Sequence, residues 1–198
     1  YQGISVLWLT KTLFDQLFLI NQNFSANIKY LLIGGEALNK DLISNLIDSN
    51  CAANNVINGY GPTENSTFSC SLNINQDNIT NTMSVPIGIP LENRKAYVLD
   101  NNLIVLPIGA VGELYVGGTG VARGYLNKPD STAEKFIANP YQSIEEQALG
   151  KNSRLYKTGD LVRWLADGNL EYIGRNDFQV KIRGYRIELG EIESVLNS

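Results

Sequence analysis

The chain has 198 residues, with 16 Lys and Arg against 20 Asp and Glu, and no histidine. A net charge of -4 lacks the basic surplus of a phosphate-backbone binder, which argues against nucleic acid as a partner, and the missing imidazole excludes Ser-His-Asp triads, Cys-His dyads and His-ligated metals. Two cysteines, Cys51 and Cys70, cannot form a four-thiolate metal site and read as buried free thiols in a reducing compartment; with no apolar run near the ~20 residues of a membrane span, the chain reads as soluble and cytoplasmic, without a membrane partner. The single methionine, Met83, is internal, and the sequence is read as a fragment of a longer protein.

In chain order, Ile4 to Leu9 is a β-rich run, and Leu13, Phe14, Leu17 and Phe18 follow at helical spacing. The unit repeats: Ile28 to Ile33 is an apolar run ended by Gly34-Gly35, and Leu38, Leu42, Ile43, Leu46 and Ile47 form a second helical stripe before Val56-Ile57 opens a third strand. Strands and helices in alternation predict an α/β parallel sheet with helices on both faces. From about Ser66 the pattern turns to short β runs at Lys95–Leu99, Leu103–Leu106, Glu113–Val116, Leu161–Trp164 and Leu170–Ile173, with turn residues at Asn101-Asn102 and Asp167-Gly168. These predict hairpins in a β-rich, barrel-like subdomain. One helix interrupts it, with Asp130 or Ser131 as its cap and Glu134 completing a capping box, and Gln142 to Ser153 reads as a surface loop. After Gly174, the run Val180 to Arg183 and an acidic helix start at Gly190 open a small α+β C-terminal subdomain. The expected boundaries are 1–80 for the end of the α/β part, 81–176 for the β-rich part and 177–198 for the hinge and the beginning of the last part.

Ligands of parallel sheets bind beyond the carboxyl ends of the strands, where this chain carries Gly34-Gly35-Glu36 and Asn58-Gly59-Tyr60-Gly61-Pro62-Thr63-Glu64. Glycines admit a close ligand, Asn58 offers donor and acceptor to a base edge, Tyr60 offers a stacking ring, Thr63 a hydroxyl and Glu64 a hard oxygen for Mg²⁺ on phosphates. The same segment is also what a tight turn needs, and the residues alone leave both readings open. Asp160, in Tyr156-Lys157-Thr158-Gly159-Asp160, can accept both hydroxyls of a ribose or simply serve a turn. Arg175 with Asp177 reads as a phosphate contact beside a joint or as a surface ion pair, and Lys181, Arg183 and Arg186 among Glu188, Glu191 and Glu193 read as a solvated face.

Asn58–Glu64 (NGYGPTE), Gly112–Leu126 (GELYVGGTGVARGYL), Tyr156–Leu161 (YKTGDL) and Gly174–Glu193 (GRNDFQVKIRGYRIELGEIE), in that order, resemble the adenylation domain of nonribosomal peptide synthetases, within the adenylate-forming superfamily. The resemblance implies a two-step reaction. An amino-acid carboxylate attacks the α-phosphate of ATP to give aminoacyl-AMP and pyrophosphate, and the acyl group passes to a phosphopantetheine thiol on a peptidyl carrier domain, beside a condensation domain of the same synthetase. It implies that Gly35, Glu36, Ala37, Asn58, Gly59 and Tyr60 line the nucleotide, with Tyr172 across the base. Thr63 then stands near the reacting phosphate, Glu64 holds Mg²⁺, Asp160 accepts the ribose diol, Arg175 touches ribose or phosphate, and Lys181 is a further nucleotide contact. Asp177 is implied as the hinge. The implied selectivity pocket, Trp8, Leu32, Gly34, Gly59, Thr67 and Phe68, is roomy and apolar and suits a branched aliphatic side chain such as that of valine. The family's Ser/Thr/Gly-rich phosphate loop, its amine-gripping Asp and its C-terminal catalytic Lys have no counterpart in these residues, so the segment alone is expected to be inactive. An acyl-CoA synthetase-type ligase and a non-catalytic nucleotide-binding or interaction module are the competing readings.

Overall fold

The computed structural model describes residues 3–49, 52–177, 179–182 and 185–196, with backbone alone for 180–182, 185–186, 188–191 and 194. The first sheet has five strands in sequential order: β1 (Val6–Thr10), β2 (Tyr30–Gly34), β3 (Asn55–Tyr60), β4 (Cys70–Asn73) and β5 (Ile89–Pro90). β1, β2 and β3 are parallel, and β4 and β5 add antiparallel. Helices α1 (Lys11–Ile20), α2 (Lys40–Asp48) and α3 (Gln76–Thr80) supply Phe14, Phe18, Ile43, Leu46 and Ile79 to one core with Leu9, Leu31, Ile33 and Val56.

All of those strand residues lie on one face of the sheet. The expectation of helices on both faces is therefore corrected: among the described residues the helices cover one side, and on the other Val6 and Trp8 stand 59% and 51% exposed. The cause is topological. Strands added in the order β1-β2-β3 through right-handed crossovers place successive helices on the same face. Alternating side chains then send Trp8, Leu32 and Ile57, which are in register, to the opposite face.

The second sheet runs β10-β9-β7-β6 with β8 on β9, built from β6 (Arg94–Leu99), β7 (Gly112–Gly118), β8 (Phe136–Ala138), β9 (Arg154–Trp164) and β10 (Leu170–Arg175), all antiparallel. Its core packs Val98, Leu114, Val116, Phe136, Tyr156, Val162 and Leu170 against Cys70 and Ile87 from the first sheet's side, so the two sheets share a hydrophobic seam. Cys70 is buried and its thiol is pushed up to about 12 by that burial, while Cys51 lies outside the described residues.

Three local expectations differ from the structure. Leu103–Leu106 makes only an isolated bridge, Val105 to Leu99, because Asp100 accepts from the backbone N–H groups of Asn102 and Ile104, both at 2.8 Å, and turns the chain. The helix α4 (Pro129–Lys135) starts at its proline and is capped by neither Asp130 nor Ser131, since proline at the first helical position already fits the required φ. Gln142–Ser153 contains a short helix, α5 (Ile144–Ala148), with a Ser143/Glu146 capping box. A hairpin of β11 (Gln179–Ile182) and β12 (Tyr185–Glu188) and the helix α6 (Leu189–Leu196) close the described chain.

Candidate active site

Two adjoining cavities, of about 440 and 410 Å³, form one cleft between the sheets. Gly35, Gly59, Tyr60, Gly61, Asp160, Arg175 and Gln179 line both. The first lobe adds Glu36 and Ala37 after β2, Asn58 on β3 and Tyr172 on β10, facing Ser84, Val85 and Ile87. The second adds Trp8, Thr63, Thr67 and Phe68, with Tyr156 and Thr158 from β9. Strand ends of a parallel sheet thus meet the middle of an antiparallel strand, and residues far apart in sequence share one wall.

Asp160 reaches the cleft through a bulge. Glu113 pairs with Leu161 and Tyr115 with Lys157, so Leu114 alone faces Thr158, Gly159 and Asp160. Gly159 has φ +77, a conformation that favours glycine, and a Cβ there would lie 2.5 Å from Asp177 Oδ2 and 2.7 Å from Arg175 Nη2. Side chains satisfy the backbone groups that the ladder drops: the Thr158 hydroxyl donates to Leu114 O at 2.7 Å, Asp160 N–H donates to Thr158 Oγ1 at 3.0 Å, and Gly159 N–H donates to Glu113 Oε1 at 3.0 Å.

The aimed carboxylate is gripped on both oxygens. Arg175 Nη1 donates to Asp160 Oδ1 at 2.6 Å, and the Tyr60 hydroxyl donates to Oδ2. Arg175 also forks onto Asp177, with Nε to Oδ1 at 2.7 Å and Nη2 to Oδ2 at 2.6 Å, and Nη2 donates to Gln179 Oε1 at 2.9 Å. Burial works to lower the Arg175 pKa, but the carboxylates of Asp177 and Asp160 hold it above its ordinary value. Burial raises the Asp177 carboxyl, and the Arg175 fork, the Arg175 charge and the Gln179 N–H outweigh it, so its pKa falls below the ordinary value. Burial and the Asp160 charge push Tyr60 well above its usual range and Tyr172 up to about 12, so both phenols stay neutral donors.

Asn58 is buried, and its amide nitrogen donates to Pro86 O at 2.8 Å. One of its donors is therefore committed, which leaves its carbonyl oxygen and second N–H for a ligand. In the second lobe, Phe68 lies over Gly59, where a Cβ would come within 2.6 Å of the ring's Cε1, and meets Trp8 edge-on at 6.2 Å between centroids. Ser66 and Thr67 hold φ +55 and +64, a strained pair for non-glycine residues, fixed by Ser66 Oγ donating to Gly120 O at 3.0 Å.

Not every expected residue lines the cleft. Leu32 is half-buried on the uncovered face of the first sheet, and Gly34 is buried against the Gly59 carbonyl, which a Cβ there would meet at 2.3 Å, and is not among the residues lining either lobe. Asp177 stands behind Arg175, and Lys181 falls in β11 with its side chain outside the described residues. Glu64 is buried, is not among the residues lining either lobe, and accepts from the Tyr125 hydroxyl at 2.6 Å. Among the described residues no group of three or more acidic or thiol side chains is placed to hold a metal by protein ligands alone; Mg²⁺ on a nucleotide needs only one or two carboxylates together with the phosphates, and Glu64 remains the residue expected to supply one. Sequence reasoning missed Ser84, Val85, Ile87, Thr158 and Gln179. The proline-punctuated run Val85-Pro86-Ile87-Gly88-Ile89-Pro90 signalled an extended segment, but nothing in it marked a cleft wall.

Against known proteins, the model of the AMP-binding enzyme family matches residues 2–126. The chain belongs to that family. It is 50% identical over 194 residues to tyrocidine synthase 3 of Brevibacillus parabrevis, covering 98% of this chain and 3% of that protein. It is also 49% identical over 193 residues to malpibaldin synthetase of Mortierella alpina, covering 98% of the chain and 3% of the relative. The fold of this family member matches the structure of PA1221, an NRPS protein containing adenylation and PCP domains, with TM-score 0.88 at 31% identity over 99% of this chain and 38% of that one. It matches NpsA-ThdA, an artificially fused adenylation-PCP di-domain from Klebsiella oxytoca, with TM-score 0.85 at 31% identity over 98% and 34%. Within the family its likeness is thus to adenylation regions of nonribosomal peptide synthetases, and it spans a small part of those proteins. Among the described residues no helix is long and apolar enough to cross a membrane.

Proposed function

We propose that this chain forms part of an amino-acid adenylation site, which joins an amino-acid carboxylate to the α-phosphate of ATP and hands the acyl group to a phosphopantetheine thiol on a peptidyl carrier domain, alongside a condensation domain. The observation that carries this reading is the convergence of Gly35, Asn58, Gly59, Tyr60, Asp160 and Arg175 on one cleft. The chemistry requires a held adenosine and an aligned carboxylate rather than a protein nucleophile, which agrees with a chain lacking histidine.

The first lobe is read as the nucleoside site. Asn58 and Tyr60 take the base and adenylate from one side, Tyr172 takes the base from the other, and Asp160 accepts the ribose diol with Arg175 beside it. Glu36 and Ala37 complete the edge, and Thr63 brings its hydroxyl toward the phosphates in the second lobe. The amino-acid side chain lies against Trp8, Thr67 and Phe68 over Gly59, where the walls are rings and the floor is backbone. Such a pocket favours a branched aliphatic side chain, valine first, with about 1 to 3 kcal/mol separating each methylene. Asp177, forked to Arg175, marks the joint to the following hairpin.

Valine-dependent ATP–pyrophosphate exchange by the full-length protein tests the reading. Asp160→Ala should weaken ATP use by roughly 10- to 100-fold through loss of charge-assisted hydrogen bonds. An unchanged rate, or stimulation by fatty acids rather than amino acids, would reject it.

A further inference from the structure

Glu113 is an acid inside the apolar run of β7, 8% exposed, and nothing in the proposed chemistry uses it. Burying a carboxylate in a sheet is costly unless its oxygens are satisfied. Here both are, by groups flanking the nucleoside wall. Oε1 accepts from the backbone N–H of Gly159 at 3.0 Å, and Oε2 accepts from Asn176 Nδ2 at 2.9 Å, with Lys157 Nζ at 3.7 Å. Gly159 immediately precedes Asp160, and Asn176 lies between Arg175 and Asp177. Asn176 N–H also donates to Gly159 O at 3.0 Å, so the bulge and the end of β10 are tied twice, once through backbone and once through Glu113.

We propose that Glu113 is a positioning residue for Asp160: it holds the Gly159 bulge at the angle that presents the Asp160 carboxylate to a ribose diol, and it registers the Arg175-Asn176-Asp177 segment against that bulge. The proposal rests on reading Asp160 as the diol acceptor. Thr158 secures the other half of the bulge through its hydroxyl, whereas the Glu113 carboxylate reaches from β7 to both the bulge before Asp160 and the residue after Arg175. Without its carboxylate, the Gly159 N–H loses its acceptor and the bulge is free to re-register, which turns Asp160 away while leaving the Trp8, Thr67 and Phe68 wall of the second lobe as it was.

The experiment compares ATP with 2′-deoxyATP in the full-length enzyme. Glu113→Ala should raise KM for ATP by about tenfold, the scale of a lost hydrogen bond to a charged group, with kcat and the amino-acid KM moving less than about threefold. Preference for ATP over 2′-deoxyATP should collapse toward that of Asp160→Ala, and the double variant should be no worse than Asp160→Ala alone. Glu113→Gln conserves volume and the acceptor for Gly159 but not the one for Asn176; it should give an intermediate KM and carries the test if the alanine variant does not fold. An equal fall in kcat with both nucleotides at intact preference, or an unchanged preference in Glu113→Gln, overturns the positioning role. Indifference of Asp160→Ala to the 2′-hydroxyl would instead sink the diol reading, and this proposal with it.

Discussion

The two sheets contribute opposite things to the cleft. The parallel sheet gives space: its strand ends carry Gly35, Gly59 and Gly61, and its rings, Trp8 and Phe68, line the lobe without charge. The antiparallel sheet gives fixed charge: Asp160 and Arg175 stand side by side in register, held by a bulge and a fork of hydrogen bonds. The difference teaches that an α/β edge can shape a cavity with backbone alone, whereas presenting a carboxylate there requires a second scaffold that absorbs the cost of burying it.

The comparison breaks most visibly at Arg175, 13% exposed and shared by two carboxylates. Arg175→Met should destabilise the full-length protein by about 3 kcal/mol in chemical denaturation, because Asp160 and Asp177 are left facing each other without a cation. A loss below about 1 kcal/mol would mean that the charges of this sheet are solvent-screened and do not depend on the fork. Gly59→Ala acts on the other side. Its methyl would meet Phe68 Cε1 at 2.6 Å, so a cost of about 1 to 3 kcal/mol is expected, together with a rise in KM for the aliphatic amino acid larger than the rise in KM for ATP. Equal rises in both constants would show that space and charge are not divided between the sheets as described.

The smallest effect is a titration. Because Asp177 has a lowered pKa in the folded protein, its contribution to stability is present above the ordinary carboxylate pKa of about 4 and is lost as pH falls through the folded value. Asp177→Asn should therefore be less stable than the parent at neutral pH, and the two should converge in thermal melts below about pH 4. Parallel curves down to pH 2 would show that the Arg175 fork does not survive folding in solution.

The parallel half was legible because helical stripes and apolar runs obey simple periods, and because a glycine at a strand end has few purposes. Leu13, Phe14, Leu17 and Phe18 announce α1, and NGYGPTE announces a loop at a carboxyl edge. What the pattern did not carry was the uncovered side of that sheet, which follows from strand order and not from any residue. In the antiparallel half, Asp160 was legible as a residue but not as a geometry: YKTGDL looks like a turn entering a strand, yet it runs through the interior of an eleven-residue strand. A bulge depends on which partner residues skip a pairing, information that resides in β7 rather than in the bulged segment. Glu64 is a second case: its motif suggests an oxygen ligand, but nothing in the sequence marked the hydrogen bond it accepts from the Tyr125 hydroxyl.

The left-handed pair Ser66-Thr67 has a consequence for ligand choice. Because those two torsions fix where the Phe68 ring lies over Gly59, the capacity of the second lobe is set by main-chain conformation as much as by the chemical nature of its lining. Two homologous sites with the same wall residues but a relaxed turn at these positions would grade substrates differently, and a code that reads only side-chain letters would assign them the same preference.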